Sequence, residues 1–95
     1  DIKPENIWWA DGIAKISDFG ICCHTSDEQE MKRRCGSAGY IAPEVFLGEA
    51  YGPNADCFSA GTLLYFIVSG KLAFAGTDVK MAMKKTLSRP LNFRR

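Results

Sequence analysis

Asp1-Ile2-Lys3-Pro4-Glu5-Asn6-Ile7-Trp8-Trp9-Ala10-Asp11-Gly12-Ile13-Ala14-Lys15-Ile16-Ser17-Asp18-Phe19-Gly20 is the stretch that decides how this chain is read. Two apolar quartets flank Asp11-Gly12, a dipeptide suited to the two-residue turn of a β-hairpin because both central positions take positive φ. Pairing Ala10 with Ile13 across that turn sets Asn6 opposite Ser17, with Asp18 one residue beyond. Two oxygen-donor side chains, Asn6 and Asp18, are therefore expected at one end of the ribbon. A hard cation such as Mg²⁺ takes oxygen ligands, often one or two carboxylates completed by water and phosphate oxygens. In the adjoining loop, Asp1 and Lys3 supply a carboxylate and a point positive charge, suited to orienting a hydroxyl and neutralising a phosphoryl oxygen.

Outward from the hairpin, residues 20–39 carry no apolar period and include the polar run Thr25-Ser26-Asp27-Glu28-Gln29-Glu30 and the basic run Lys32-Arg33-Arg34. This reads as a long loop, and long ordered loops are usually functional or mobile. A short apolar stretch at 44–47 follows Pro43, then a turn ending in Tyr51-Gly52-Pro53-Asn54. Asp56 stands at a good helix start, and 56–68 is apolar on every side, the pattern of a buried helix stopped by Ser69-Gly70. Leu63 and Ile67 read as core. Thr77 or Asp78 can cap a last helix running to about residue 87, which Pro90 keeps from extending much further.

The chain has 95 residues, 46% hydrophobic and 24% charged, which excludes disordered and low-complexity classes. A domain this short buries only about 60% of its unfolded surface, and the helix at 56–68 lacks enough protein around it to be covered. A piece of a longer domain is expected. The net charge of +1 gives no field toward nucleic acid or an anionic membrane, and neither is expected as a partner. From Lys80 onward there are six bases and no acid, read as a solvated helix face and basic tail. Cys22, Cys23, Cys35 and Cys57 come without a secretory leader, so reduced thiols and an intracellular, cytoplasmic setting are expected. Their spacing does not suit zinc.

Four blocks, two of them inside the opening stretch, make one pattern. Asp1-Ile2-Lys3-Pro4-Glu5-Asn6, then Asp18-Phe19-Gly20, then Ala42-Pro43-Glu44 resemble, in order and spacing, the catalytic loop, metal motif and activation-segment end of protein kinases. Asp56-Cys57-Phe58-Ser59-Ala60-Gly61 resembles the start of that family's central helix. The resemblance implies an α+β fold: a piece of the kinase C-terminal lobe over residues 1–95, mostly α-helical, with one hairpin, a long activation loop and no N-terminal lobe. It implies ATP and Mg²⁺ as cofactors and protein substrates as partners. Asp1 would orient the acceptor hydroxyl or take its proton, Lys3 would contact the transferred phosphoryl group, and Asn6 and Asp18 would hold Mg²⁺. Trp8 would lie under the adenine.

Lysine two residues after the aspartate is the serine/threonine form of the loop, and Ser37 corresponds to the hydroxyl that supports Asp1 and Lys3. Gly36, Ser37, Tyr40 and Ile41 fall where the family meets its peptide substrate. Glu5 matches a position that pairs with a basic residue upstream of the acceptor. Together with Cys35-Gly36-Ser37-Ala38-Gly39-Tyr40-Ile41-Ala42-Pro43-Glu44 it resembles the calcium/calmodulin-dependent kinase group. Phe19, Gly20, Glu44 and Asp56 take structural parts, Phe19 by packing and Asp56 by holding the backbone of the catalytic loop. Thr25 and Ser26 read as an ordinary solvated loop.

Departures from the pattern are specific. Trp8 stands where relatives carry a smaller apolar residue, Arg33 where many carry a phosphorylatable threonine, and Ala73 where a proline is usual. The glycine-rich loop, the strand lysine with its glutamate partner, the His-Arg before the aspartate and the arginine that pairs with Glu44 are not in these residues. Two alternatives follow: a catalytically weak scaffold, suggested by Trp8 and the basic loop, or a truncated gene product inactive by itself.

Overall fold

In the computed structural model, which describes residues 1–88, 90 and 91, Asp11 and Gly12 adopt φ of 52° and 74°. That is the left-handed pair a two-residue hairpin turn demands. Strands β1 (Ile7–Ala10) and β2 (Ile13–Ile16) pair antiparallel with Ala10 opposite Ile13 and Ile7 opposite Ile16, as the turn chemistry predicts. The ribbon is open to solvent, with Trp8, Trp9, Ile13 and Ile16 all exposed. Residues 20–39 form the expected loop, interrupted by one 3-10 turn at Glu30–Lys32.

Three helices follow: α1 (Pro43–Phe46), α2 (Asn54–Ser69) and α3 (Val79–Ser88). At 4, 16 and 10 residues they leave irregular chain in the majority, so the expectation of a mostly helical piece is overstated. The reason is the run between β2 and α1, which has no apolar period from which to build a helix. Helix α2 starts two residues before Asp56. Pro53, at φ −55°, already holds the helical value, and the Gly52 and Pro53 carbonyls accept the amides of Ala55 and Asp56. Gly70 ends the helix at φ 70°, its amide donating to the Phe66 carbonyl. Of the two possible caps for α3, Asp78 is used: its Oδ1 accepts the Met81 amide at 2.8 Å. Lys80, Lys84 and Lys85 lie on this helix, whereas Arg89, Arg94 and Arg95 of the basic tail lie outside the described residues.

The core gathers Ala42, Val45 and Ala55, with Ile41, Tyr51 and Phe58 packed against them. Phe58 and Phe74 stack with ring centroids 6.0 Å apart, and α1 lies against α3. Helix α2 is covered on one side only. The covered side is small and polar: Ala55, Ser59 and Thr62 are buried, while Leu64, Ile67 and Val68 are 61–70% exposed. Ile67 is therefore not core here and Leu63 only half-buried, because no described element covers that face. Ser59 Oγ donates to the Tyr40 carbonyl at 2.6 Å and contacts the Ala55 carbonyl at 3.1 Å, so the segment at 40–42 is held directly onto the helix.

Two outcomes follow from this packing. The isolated 95-residue chain, with its apolar α2 face in water, should bind hydrophobic dyes and melt broadly in calorimetry or aggregate; a sharp two-state melt of a soluble monomer would contradict this. In the full-length protein, Ser59→Ala strands the Tyr40 carbonyl and should cost about 1–3 kcal/mol in denaturant unfolding.

Candidate active site

Local chemistry sets the first loop. Pro4 opens a 3-10 turn (Pro4–Asn6), closed by the Asn6 amide on the Lys3 carbonyl at 3.0 Å. Asn6 is buried, and its Nδ2 reaches back to the Asp1 carbonyl at 2.8 Å and to Asp1 Oδ2 at 3.3 Å. Its own carbonyl accepts both the amide and the hydroxyl of Ser17, at 2.8 and 3.1 Å, which extends the ribbon one rung beyond the strands. That rung is the one the hairpin register predicts. Asp18 then takes φ 60°, and its Oδ1 accepts the Gly20 amide at 3.1 Å. This local bond is how a non-glycine residue tolerates the left-handed region.

Across the loop, Ser37 closes the site. Lys3 Nζ donates to Ser37 Oγ at 2.7 Å, Ser37 Oγ donates to Asp1 Oδ1 at 2.8 Å, and Lys3 Nζ stands 3.2 Å from Asp1 Oδ2. The three side chains form a closed triangle of charge-assisted contacts. The resemblance anticipates this grouping, and the structure brings the residues together.

Other expected site residues fall around it. A cleft of about 310 Å³ is lined by Asp1, Asp18, Ser37, Tyr40, Asp56 and Ser59 among others. Trp8 is outside it, 64% exposed on β1. Gly36, at φ 122°, brings its α-carbon so close to Ile41 that a Cβ would stand 3.1 Å from Cγ1, and Ile41 is half-buried against the core. Tyr40 is buried, and that burial, with the Glu5 carboxylate nearby, raises its phenol above the ordinary value. Two structural expectations are not met. Phe19 does not pack, being 66% exposed. Among the described residues Asp56 makes no hydrogen bond to the loop at 1–6, although Asp1, Ile2 and Asp56 line the same cleft and Asp56 is solvent-exposed. Glu44 has no ion-pair partner among the described residues.

The donor set suits the cation that the resemblance implies. Asn6 uses Nδ2 on Asp1, which leaves Oδ1; Asp18 uses Oδ1 on Gly20, which leaves Oδ2. Among the described residues no three His, Cys, Asp or Glu side chains gather into a cage. Two protein oxygens alone could hold Mg²⁺ only with phosphate and water completing the shell, and that is its usual habit.

The protein kinase domain model matches residues 1–94. The chain belongs to the protein kinase family. Similar proteins include mouse sperm motility kinase 3A, 39% identical over 90 residues, which are 93% of this chain and 18% of that protein. Mouse sperm motility kinase Z is 38% identical over 89 residues, 92% of this chain and 18% of the relative. The carbon catabolite-derepressing protein kinase of Candida tropicalis is 40% identical over 87 residues, 90% of this chain and 14% of the relative. This kinase segment thus spans less than a fifth of the length of these relatives.

One residue of the kinase segment went unread in the sequence. Tyr51 ties the loop at 20–39 to the core: its hydroxyl bonds the carbonyls of Arg33 at 2.8 Å and Glu30 at 3.0 Å, and its amide donates to the Met31 carbonyl at 3.1 Å. In sequence it is only a turn residue, because partners 18 and 21 positions away leave no local signal. Burial, then the contact with Cys35, pushes its phenol up to about 12 from an ordinary 10.0. A raised acid favours the protonated folded form, so the tether is intact below pH 10.0 and is lost as pH rises through about 12. In the full-length protein the phenolate absorbance step near pH 12 should be smaller by one tyrosine in Tyr51→Phe than in the wild type.

Proposed function

We propose that this segment carries the phosphotransfer centre of a serine/threonine protein kinase, in which the γ-phosphoryl of Mg-ATP passes to a protein hydroxyl. The observation that carries the reading is the Asp1, Lys3, Ser37 triangle. When bound, Mg-ATP supplies the phosphoryl group and the metal that neutralises its charge, with Asn6 and Asp18 as the protein ligands. Asp1 is fixed by Asn6 and Ser37 so that its carboxylate can orient the acceptor hydroxyl and hold the proton that leaves it. Lys3 keeps a positive charge beside that carboxylate, placed to meet phosphoryl oxygen.

The Lys3–Ser37 bond supports a serine or threonine acceptor, since it uses the lysine that marks that form of the loop. Exposed Glu5, close enough to Tyr40 to raise its phenol, supports a basic residue upstream of the acceptor. The run from Cys35 to Glu44 keeps the calcium/calmodulin-dependent group as our finer placement. Four free cysteines support an intracellular setting. The relatives are named as kinases, and the scaffold alternative is not favoured.

In the full-length protein Asp1→Asn should lower turnover of a serine peptide by about 10²–10⁴-fold. Ser37→Ala should lower it less, since Lys3 keeps its own contact with Asp1. Unchanged turnover in Asp1→Asn, or equal turnover of tyrosine peptides by the wild type, would sink the reading.

A further inference from the structure

Of the consecutive bases Lys32-Arg33-Arg34, Arg33 is paired with Glu30 at 3.4 Å. Arg34 makes no hydrogen bond and no ion pair among the described residues. Its guanidinium is nonetheless placed. It lies so close over Gly48, just past the end of α1, that a Cβ there would stand 2.8 Å from Nη2 and 3.2 Å from Nε. Arg34 lines a hollow of about 160 Å³ whose other walls include Gly36, Ile41, Val45 and Phe46, with Val79 and Met83 from α3. Small-molecule sites start at roughly 300 Å³, so this space suits a single side chain. The hollow adjoins the cleft that holds Asp1 and Ser37: Cys35, Gly36, Ile41 and Val45 line both.

We propose that this hollow takes an acidic side chain of the protein substrate, glutamate or aspartate, downstream of the acceptor hydroxyl, and that Arg34 is the residue that selects it. The position of the acceptor rests on the phosphotransfer reading above. Apolar walls and a free guanidinium complement the two halves of a glutamate: its methylenes lie on Ile41, Val45 and Phe46, and its carboxylate meets the guanidinium fork. An apolar side chain would fill the same walls but cover an unpaired charge, which is costly. A lysine or arginine would bring a like charge to Arg34.

The direction along the substrate follows from Glu5. The reading above gives Glu5 a basic residue upstream of the acceptor, and a substrate carboxylate on that side would meet a like charge. The acid therefore belongs downstream. Arg34 stands three positions before Ser37, which holds Asp1, and an extended substrate covers the same span in about three residues. The acid falls among the first three residues after the acceptor.

The test uses the full-length protein and peptides with a single serine, one arginine upstream of it, and glutamate, glutamine or lysine at the first, second or third position after it. At one of these positions the wild type should turn over the glutamate peptide about tenfold better in kcat/KM than the glutamine peptide, chiefly through KM, with lysine worst. Arg34→Gln should erase the difference. Arg34→Glu should invert it, making the lysine peptide the better substrate, and such a gain cannot come from misfolding. A wild type indifferent to charge at all three positions, or an Arg34→Glu variant that still prefers glutamate, overturns the proposal. Fluorescence anisotropy with the serine replaced by alanine reads binding alone: the glutamate peptide should bind the wild type more tightly than the glutamine peptide and lose that advantage in Arg34→Gln, and equal binding by the wild type overturns the proposal. Preferential binding with no turnover of any serine peptide fails the kinase reading and upholds the subsite, whereas turnover without the preference fails the subsite alone.

Discussion

The Ser37 hydroxyl sits between Asp1 and Lys3, bonded to both, and joins segments 36 and 34 residues apart. No other side-chain hydrogen bond among the described residues reaches as far along the chain. With it in place, Asp1 and Ile2 and the stretch from Gly36 to Ala42 line the same cleft. Without it, a carboxylate and an ammonium on a short turn would face each other alone, a pair worth little when part-exposed. The hydroxyl adds direction, since it accepts from the lysine and donates to the carboxylate, and each contact fixes the other.

That constraint is supported from both ends. Asn6 holds Asp1 through Nδ2 and joins the hairpin through its carbonyl, so the loop at 1–6 inherits the register of β1 and β2. Ser59 holds the Tyr40 carbonyl, three residues after Ser37, against α2. Tyr51 fastens the middle of the loop. Polar anchors at Asn6, Tyr51 and Ser59 hold the loop at 1–6 and the segment at 30–40 in place, and the apolar core at Ala42, Val45 and Ala55 gives them a fixed body to pull against.

Much of this was legible in the residues. Asp11-Gly12 specified the turn, and a two-residue turn leaves a single register, so the Asn6–Ser17 rung followed by counting. Gly70 and Asp78 marked helix ends by local chemistry. Reading by pattern went astray where the answer lay outside the local window. Asp56 looked like the first residue of α2 because it is a good cap, yet Pro53 supplied the helical φ earlier. Tyr51 carried no signal, since its partners are remote in sequence.

Helix α2 separates the two kinds of information most clearly. Its residues alone determined that it is a helix, where it stops, and that no side of it favours water, because those properties depend on neighbours within a turn or two. Which side is covered was decided only in three dimensions. The small residues Ala55, Ser59 and Thr62 let the segment at 40–42 approach closely, and larger Leu64, Ile67 and Val68 remain open. The same division holds for the site. Sequence determined which groups exist, a carboxylate, an ammonium, an amide and a hydroxyl in order along the chain. Only the tertiary structure could set the hydroxyl 2.7 and 2.8 Å from its two partners, because hydrogen bonding acts over ångströms in space and is blind to the distance between residues along the chain.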